Sequence, residues 1–375
     1  MLEVKHVPAL DTLPPGVVTL EDHARHAQTR LDDNAWAYFS GGAGDEITLR
    51  ANRAAWDRIS LNPRVLRAMA GGSTRVELLG HTLAHPILLA PVAFQRMAHP
   101  DGELAMAYAA AAQSAGIVLS TQASLPMETV AQAARSNPQR GPLWFQLYIQ
   151  QDRGFTHALV QRAEAAGFEA LVLTVDAPTS GARDRERRVG FQLPAGVSSV
   201  NLAGLATPAP VGLRPDQSAL FDGLLAHTPT WADVEWLQSI TRLPVLLKGI
   251  LHPGDARLAQ QLGIAGLVVS NHGGRTLDTA PATATVLPRI AQAVPGMPLL
   301  VDGGIRRGTD VLKAMALGAS AVLVGRPYIY GLANAGAMGV AHVLRLLRDE
   351  LEIAMALTGC ARLQDASPAL LGDSL

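Results

Sequence analysis

The segment from Val268 to Arg275 reads VVSNHGGR. A β-branched apolar run breaks off into an amide, an imidazole, two glycines and a guanidinium. Histidine, with an ordinary pKa of about 6.5, takes or gives a proton near neutrality. Arginine presents a planar fork of N–H donors that suits a carboxylate or a phosphate. A strand that only fills a core needs neither at its end. The pair points to proton transfer beside a bound anion, although a lone histidine is more often structural than catalytic.

Similar endings recur along the chain. Eight short apolar runs follow a proline, a glycine or a polar turn: PILLAP (86–91), GIVLST (116–121), LWFQLY (143–148), ALVLTVD (170–176), PVLLKG (244–249), GLVVSN (266–271), PLLVDGG (298–304) and AVLVGR (321–326). They are near-continuous rather than alternating, as parallel strands covered on both faces must be. Helical stretches such as DRGFTHALVQRAEAAG separate them. Alternating strands and helices predict a parallel α/β fold. Eight such units in about 250 residues predict a closed (β/α)8 TIM barrel, whose chemistry sits where the strands end. A doubly wound open sheet is the alternative, but it would gather its polar residues at one switch point. Here they are spread over nearly all the ends: Ala93; Ser120 and Gln122; Gln146 and Tyr148; Thr174 and Asp176; Lys248; His272 and Arg275; Asp302, Gly303, Gly304 and Arg306; Gly325 and Arg326.

The last two ends, DGGIRRG and GRP, place glycines and arginines where barrels of this kind commonly hold a phosphate. Glycine lets the backbone approach closely, and Arg306 or Arg326 brings a bidentate charge. The bland alternative is turn glycines with solvent-facing arginines. A phosphate grip beside Ser120, Gln146 and Thr174 suggests a flat polar heterocycle across the barrel mouth, and flavin mononucleotide (FMN) fits that description. Lys248 then favours negative charge on such a ring; a strand-end ion pair is its plain alternative.

Composition bounds the function. The chain has 375 residues, 48% of them hydrophobic and 17% charged, with a formal net charge of -1. That balance gives no electrostatic case for a nucleic acid or an anionic membrane. The single cysteine, Cys360, excludes a disulfide framework and a cysteine zinc site, no metal is expected, and a reducing, cytoplasmic setting fits. The N-terminal stretch lacks the apolar region of a secretory signal, and the C-terminal GDSL is not a peroxisomal tripeptide. Two uncharged stretches, 105–127 and 327–344, are rich in small residues and read as close-packed helices with adjoining strand or loop rather than membrane spans. The chain is expected to form one barrel domain over 1–375. Residues 1–85 form an N-terminal helical extension, including a helix after Thr19, and 86–360 form the barrel. A long Pro/Gly/Ser/Ala-rich loop over 189–230 is read as either a lid or an unstructured connection.

Taken together, the motifs GDEITLRANR, APVAFQRMAHPDGE, WFQLY, LTVDAP, LLKGI, VSNHGGRTLD, DGGIRRGTDVLKA and GRPYIYGLA closely resemble the FMN-dependent L-2-hydroxy acid oxidase and dehydrogenase family. That family includes glycolate oxidase, lactate oxidase, mandelate dehydrogenase and the flavin domain of flavocytochrome b2. The resemblance runs from about Ala35 to Cys360. It implies His272 as the base, Asp176 as its partner, and Arg275 with Arg183 as the clamp on a substrate carboxylate. It also implies Tyr38 at that carboxylate and Tyr148 at the substrate hydroxyl. For FMN it implies Pro91, Val92, Ala93, Ser120, Gln146, Thr174, Lys248, Asp302, Gly303, Gly304, Arg306, Gly325 and Arg326. O2 is the implied acceptor and a homo-oligomer, a tetramer or octamer, the implied assembly. Where small-substrate relatives carry a large aromatic and a leucine, this chain has Gln122 and Ser180, which predicts a substrate side chain larger than hydrogen or methyl, an aryl or longer alkyl group. A dehydrogenase passing electrons to a quinone or cytochrome, a flavin-barrel isomerase and a non-catalytic barrel are the competing readings.

Overall fold

The computed structural model describes residues 10–206, 214 and 216–372. The stretch before residue 10 and the last three residues of GDSL, where two of the terminal readings fall, lie outside the described residues. Eight parallel strands close into a barrel: β3 (Ile87–Leu89), β4 (Gly116–Leu119), β5 (Leu143–Leu147), β6 (Ala170–Thr174), β7 (Val245–Lys248), β8 (Gly266–Val269), β9 (Leu299–Val301) and β10 (Ala321–Val324), with β10 pairing back to β3. All eight fall within the runs expected from the sequence and are shorter by one to four residues. A leading proline is trimmed from three of them (Pro86, Pro244 and Pro298), and the residues trimmed at the far ends include the polar Ser120, Tyr148, Asp176 and Asp302.

The continuous apolar pattern has two destinations. Leu88, Val118, Trp144, Val172, Leu246, Val268, Leu300 and Leu323, one from each strand, fill the barrel interior. Their immediate neighbours, such as Leu89, Leu119, Phe145, Leu247 and Val301, point outward beneath the helices. Alternation of faces at period two thus buries every position. A hairpin not expected from the sequence, β1 (Val76–Leu78) with β2 (His81–Leu83), adds Leu78 and Leu83 to the interior cluster. It leads directly into β3 and closes the end where the strands begin.

The opposite end is built on by the N-terminal helices α1 (Leu20–Arg30), α2 (Asp33–Ser40) and α3 (Ile47–Arg58). Thr19 and Asp32 cap the first two, their side chains accepting from the Asp22 and Ala35 amides. Around the barrel run α4 (Gly102–Ala112), α5 (Met127–Ala134), α6 (Arg153–Ala166), α7 (Asp184–Arg188), α8 (Trp231–Ser239), α9 (Pro253–Gln261), α10 (Thr283–Ala293), α11 (Gly308–Ala316) and α12 (Arg326–Thr358), the last broken at Ala335 and Gly336. Among the described residues, no helix is long and apolar enough to cross a membrane. The described part of 189–230 is not featureless. Asn34 and Gln192 exchange hydrogen bonds of 2.7 and 3.1 Å, the Val200 amide donates to the Ala123 carbonyl, and buried Asn201 accepts from the Met127 amide at 3.0 Å. This half of the segment is docked on the barrel rim.

Leu246 is fully buried among the interior residues. Leu246→Ala is expected to cost about 2–5 kcal/mol of stability, the range for a truncated core leucine. Denaturant unfolding of the cofactor-loaded protein checks this, and a loss under about 1 kcal/mol would place Leu246 outside the packed core.

Candidate active site

A cavity of about 1590 Å³ opens where the strands end. That exceeds the ordinary range for one small ligand, roughly 300–1,000 Å³, and leaves room for two. Every residue singled out from the sequence lines it except Asp176, which stands behind His272.

His272 sits at the head of a turn in which three consecutive residues are left-handed: His272 at φ 56°, Gly273 at 63° and Gly274 at 73°. The conformation is free for glycine and uncommon for histidine. Two short bonds hold it: the His272 amide donates to Ser270 Oγ at 3.0 Å, and the Gly274 amide donates to the Asn271 carbonyl at 2.9 Å. His272 Nδ1 lies 2.9 Å from Asp176 Oδ1. Burial, the largest influence on Asp176, pushes its pKa up, but His272 and Lys248 together outweigh it and hold the carboxyl below its usual range. The carboxylate therefore accepts from Nδ1–H and fixes the tautomer, leaving the lone pair on Nε2. Burial also pushes the His272 pKa below its ordinary value, with Lys248 adding to the effect and Asp176 opposing it. The ring is neutral at pH 7 and able to accept a proton.

Lys248, at the end of β7, is 4% exposed. Its ammonium donates to Ser270 Oγ at 2.9 Å and pairs with Asp302 Oδ2 at 3.2 Å. Burial opposes its charge, and Asp302, Asp176 and Tyr148 more than restore it. The ion pair raised as its plain alternative is present, and Lys248 faces the cavity as well.

Arg275 and Arg183 meet on one wall. Arg275 Nη1 donates to the Tyr38 and Gly41 carbonyls, and its guanidinium lies 4.9 Å from the Tyr38 ring centre. Phe191 stacks on Tyr38 with ring centres 5.1 Å apart. Tyr148, also lining the cavity, has its phenol pushed up to about 12 by burial and keeps its proton. This wall combines two cations with neutral O–H donors, a suitable receptor for a carboxylate carrying an adjacent hydroxyl.

Across the mouth, Arg306 and Arg326 are partly buried and, among the described residues, in no ion pair. Arg306 donates to the Ile305 carbonyl, and Arg326 donates to the Phe39, Gly273 and Gly41 carbonyls. Burial lowers both, Arg326 to about 10. Partly buried guanidinium groups held by carbonyl oxygens alone favour an anion. Gly304, two residues before Arg306, has φ 83°, and a Cβ there would stand 2.5 Å from the Asn52 carbonyl oxygen. Gln146 Oε1 accepts from Ser120 Oγ and the Thr121 amide, which leaves Nε2 buried with no partner; Asp302 Oδ1 is likewise buried and unpartnered. These donors and acceptors fit FMN: Gln146 Nε2 and Asp302 Oδ1 would be free to bond its ring and its chain, and Arg306 and Arg326 would hold its phosphate.

Several site-building residues carry no obvious signal in the sequence. Asn52 and Asn271 exchange amide hydrogen bonds of 2.9 and 2.8 Å. Trp56 Nε1 donates to the Gly303 carbonyl at 2.8 Å, and Arg53 reaches the Gly304 carbonyl and Asp310. Through these, α3 holds the loops after β8 and β9. Glu103, fully buried, accepts from the Gln95 and Ser124 amides and ties the loops after β3 and β4. Phe191 and Glu186, from the segment after β6, also face the cavity. The motif GDEITLRANR contains two of these residues, Asn52 and Arg53, but only the fold shows what they hold.

Residues 27–373 match the family model described as FMN-dependent dehydrogenase. The chain is 50% identical over 356 residues to an L-lactate oxidase of Alicycliphilus denitrificans, covering 95% of this chain and 96% of that protein. It is 44% identical over 356 residues to glycolate oxidase 1 of Zea mays, covering 93% and 94%. Among solved structures it is similar to mandelate oxidase with benzoyl-formic acid, with a TM-score of 0.84 and 43% identity over 95% of this chain and 98% of that one.

Arg306→Met removes one of the two cations of the anion site while leaving the Arg326 contacts in place. FMN should bind roughly 10- to 100-fold more weakly, the loss of a hydrogen bond to a charged group. Fluorescence titration of FMN into the apoprotein measures it, and an unchanged Kd would remove Arg306 from the phosphate site.

Proposed function

The chain belongs to the FMN-dependent dehydrogenase family, and from that premise we propose that it oxidises an L-2-hydroxy acid to the 2-oxo acid, with O2 as acceptor and H2O2 as product. The observation that carries the reading is the convergence on one wall of the neutral, Asp176-oriented His272 and the guanidinium groups of Arg275 and Arg183.

FMN, when bound, supplies the two-electron acceptor. The rest falls to the chain's own side chains. Arg275, Arg183 and the Tyr38 hydroxyl hold the substrate carboxylate, which orients the α-carbon and its hydroxyl. The Tyr148 hydroxyl donates to the substrate oxygen. His272 Nε2 accepts a proton: from the hydroxyl if the α-hydrogen leaves as hydride, from the α-carbon if it leaves as a proton. Either way the imidazolium forms beside Asp176, which stabilises it.

The side chain of the acid is proposed to be larger than a methyl group. Gln122 and Ser180 line the cavity together with an apolar wall that includes Leu193, Leu202, Leu205 and Trp231. Likeness to mandelate oxidase supports an aryl or longer alkyl group. L-Lactate is the second reading, supported by 50% identity to a protein of that name. The oxidase names of the relatives favour O2 over a quinone or cytochrome. A cytoplasmic homo-oligomer, tetramer or octamer, completes the proposal. The single cysteine suits a reducing compartment, and exposed Val65, Leu66, Ile353 and Leu357 offer apolar surface to other copies.

His272→Ala is expected to keep FMN and to lower kcat by at least ~10²-fold, the scale of general-base catalysis. Full turnover in that variant would dismiss His272 as the base. In air, the protein should release one H2O2 per acid oxidised, with kcat/KM higher for (S)-mandelate or 2-hydroxyoctanoate than for glycolate. Turnover only with an artificial dye would favour the dehydrogenase, and a preference for glycolate would contradict the large side chain.

A further inference from the structure

Glu186 has no part in the chemistry described above, yet it faces the carboxylate wall. It lies in the short helix α7, its side chain is 13% exposed, and it lines the main cavity. Its Oε1 accepts from Arg275 Nη2 at 3.1 Å and lies 3.6 Å from Arg183 Nη1. The backbone of α7 fixes the approach, since the Phe191 amide donates to the Glu186 carbonyl at 2.9 Å.

The charges around it are already matched. Asp176 belongs to His272 and Asp302 to Lys248. Arg185, on the same helix, pairs with Glu46 at 2.6 Å. Arg275 Nη1 is committed to backbone carbonyls. Two guanidinium groups therefore share one carboxylate, and the wall keeps a single unit of positive charge.

We propose that Glu186 is a specificity-determining residue: it leaves the Arg183–Arg275 clamp with charge for one carboxylate, and so selects monocarboxylic over dicarboxylic acids. The proposal rests on the reading that this clamp binds the substrate carboxylate. Without Glu186 the clamp would carry two positive charges and favour a dianion. With it, a second carboxylate arrives unmatched and faces a like charge in a poorly screened site. Discrimination here comes from a repulsive element rather than from better contacts to the right ligand. Glu186 also holds Arg275 before substrate arrives. An amide at this position keeps an oxygen acceptor for Arg275 and removes only the charge, which makes the two roles separable.

The test uses the FMN-loaded protein, titrated by calorimetry with propanoate and with malonate at pH 7.5 and fixed ionic strength. The two ligands are similar in size and differ by one carboxylate. Wild type should bind propanoate more tightly. In Glu186→Gln, malonate should gain at least ~10-fold and propanoate less, so that the ratio of their Kd values falls by roughly 5-fold or more, a conservative share of the Coulomb interaction between unit charges about 6 Å apart. Glu186→Asp should keep the wild-type ratio. An unchanged ratio in Glu186→Gln, or equal weakening of both ligands, would make Glu186 a structural brace and overturn the proposal while the clamp stands. If wild type binds neither acid, the clamp reading itself fails and this proposal with it.

Discussion

A guanidinium or ammonium group taken out of water costs several kcal/mol unless something answers its charge, and among the described residues the mouth of this barrel holds five such groups. Lys248 is answered by Asp302, and Arg183 and Arg275 share Glu186. Among the described residues, Arg306 and Arg326 donate to carbonyl oxygens only. The chain thus leaves positive charge in two places, one suited to a phosphate and the other to a carboxylate. His272 lies between these demands. The nearby cations and burial keep its ring neutral, while Asp176 holds the ring in place and keeps it basic.

Such a mouth has to be held from outside, because β3 to β10 end before most of its side chains begin. The N-terminal segment does much of this. Asn52, Arg53 and Trp56 grip the loops after β8 and β9, and the Gly41 carbonyl accepts from both Arg275 and Arg326. That one oxygen links the two anion sites. On the far side, Glu103 does the equivalent for the loops after β3 and β4. The segment after β6 supplies Phe191, stacked on Tyr38, and Glu186. It belongs to the site rather than merely connecting β6 to α8.

What could be read in the sequence followed from local pattern. The strands were visible because both faces of each are buried, which writes a continuous apolar run. The rim was visible because polar side chains concentrate where those runs stop. The hairpin was not, because VEL and HTL are three-residue strands with only Leu78 and Leu83 buried deeply. The Asn52–Asn271 pair joins residues 219 positions apart, and no local pattern encodes such a contact. Glu186, inside DRERR, reads as one charge on a solvated helix until the fold turns it toward Arg275. Residue identity indicated which groups could do chemistry, whereas the groups that hold them depend on long-range packing.

The central claim is that one carboxylate-bearing ligand is held between the two arginines with its α-carbon beside His272. A crystal structure of the FMN-loaded protein with a 2-oxo acid tests this most directly. The account predicts the carboxylate on Arg183, Arg275 and Tyr38, and the oxo oxygen within hydrogen-bonding distance of His272 Nε2 and Tyr148. A carboxylate bound elsewhere, or His272 turned away from the ligand with its Asp176 bond broken, would contradict it.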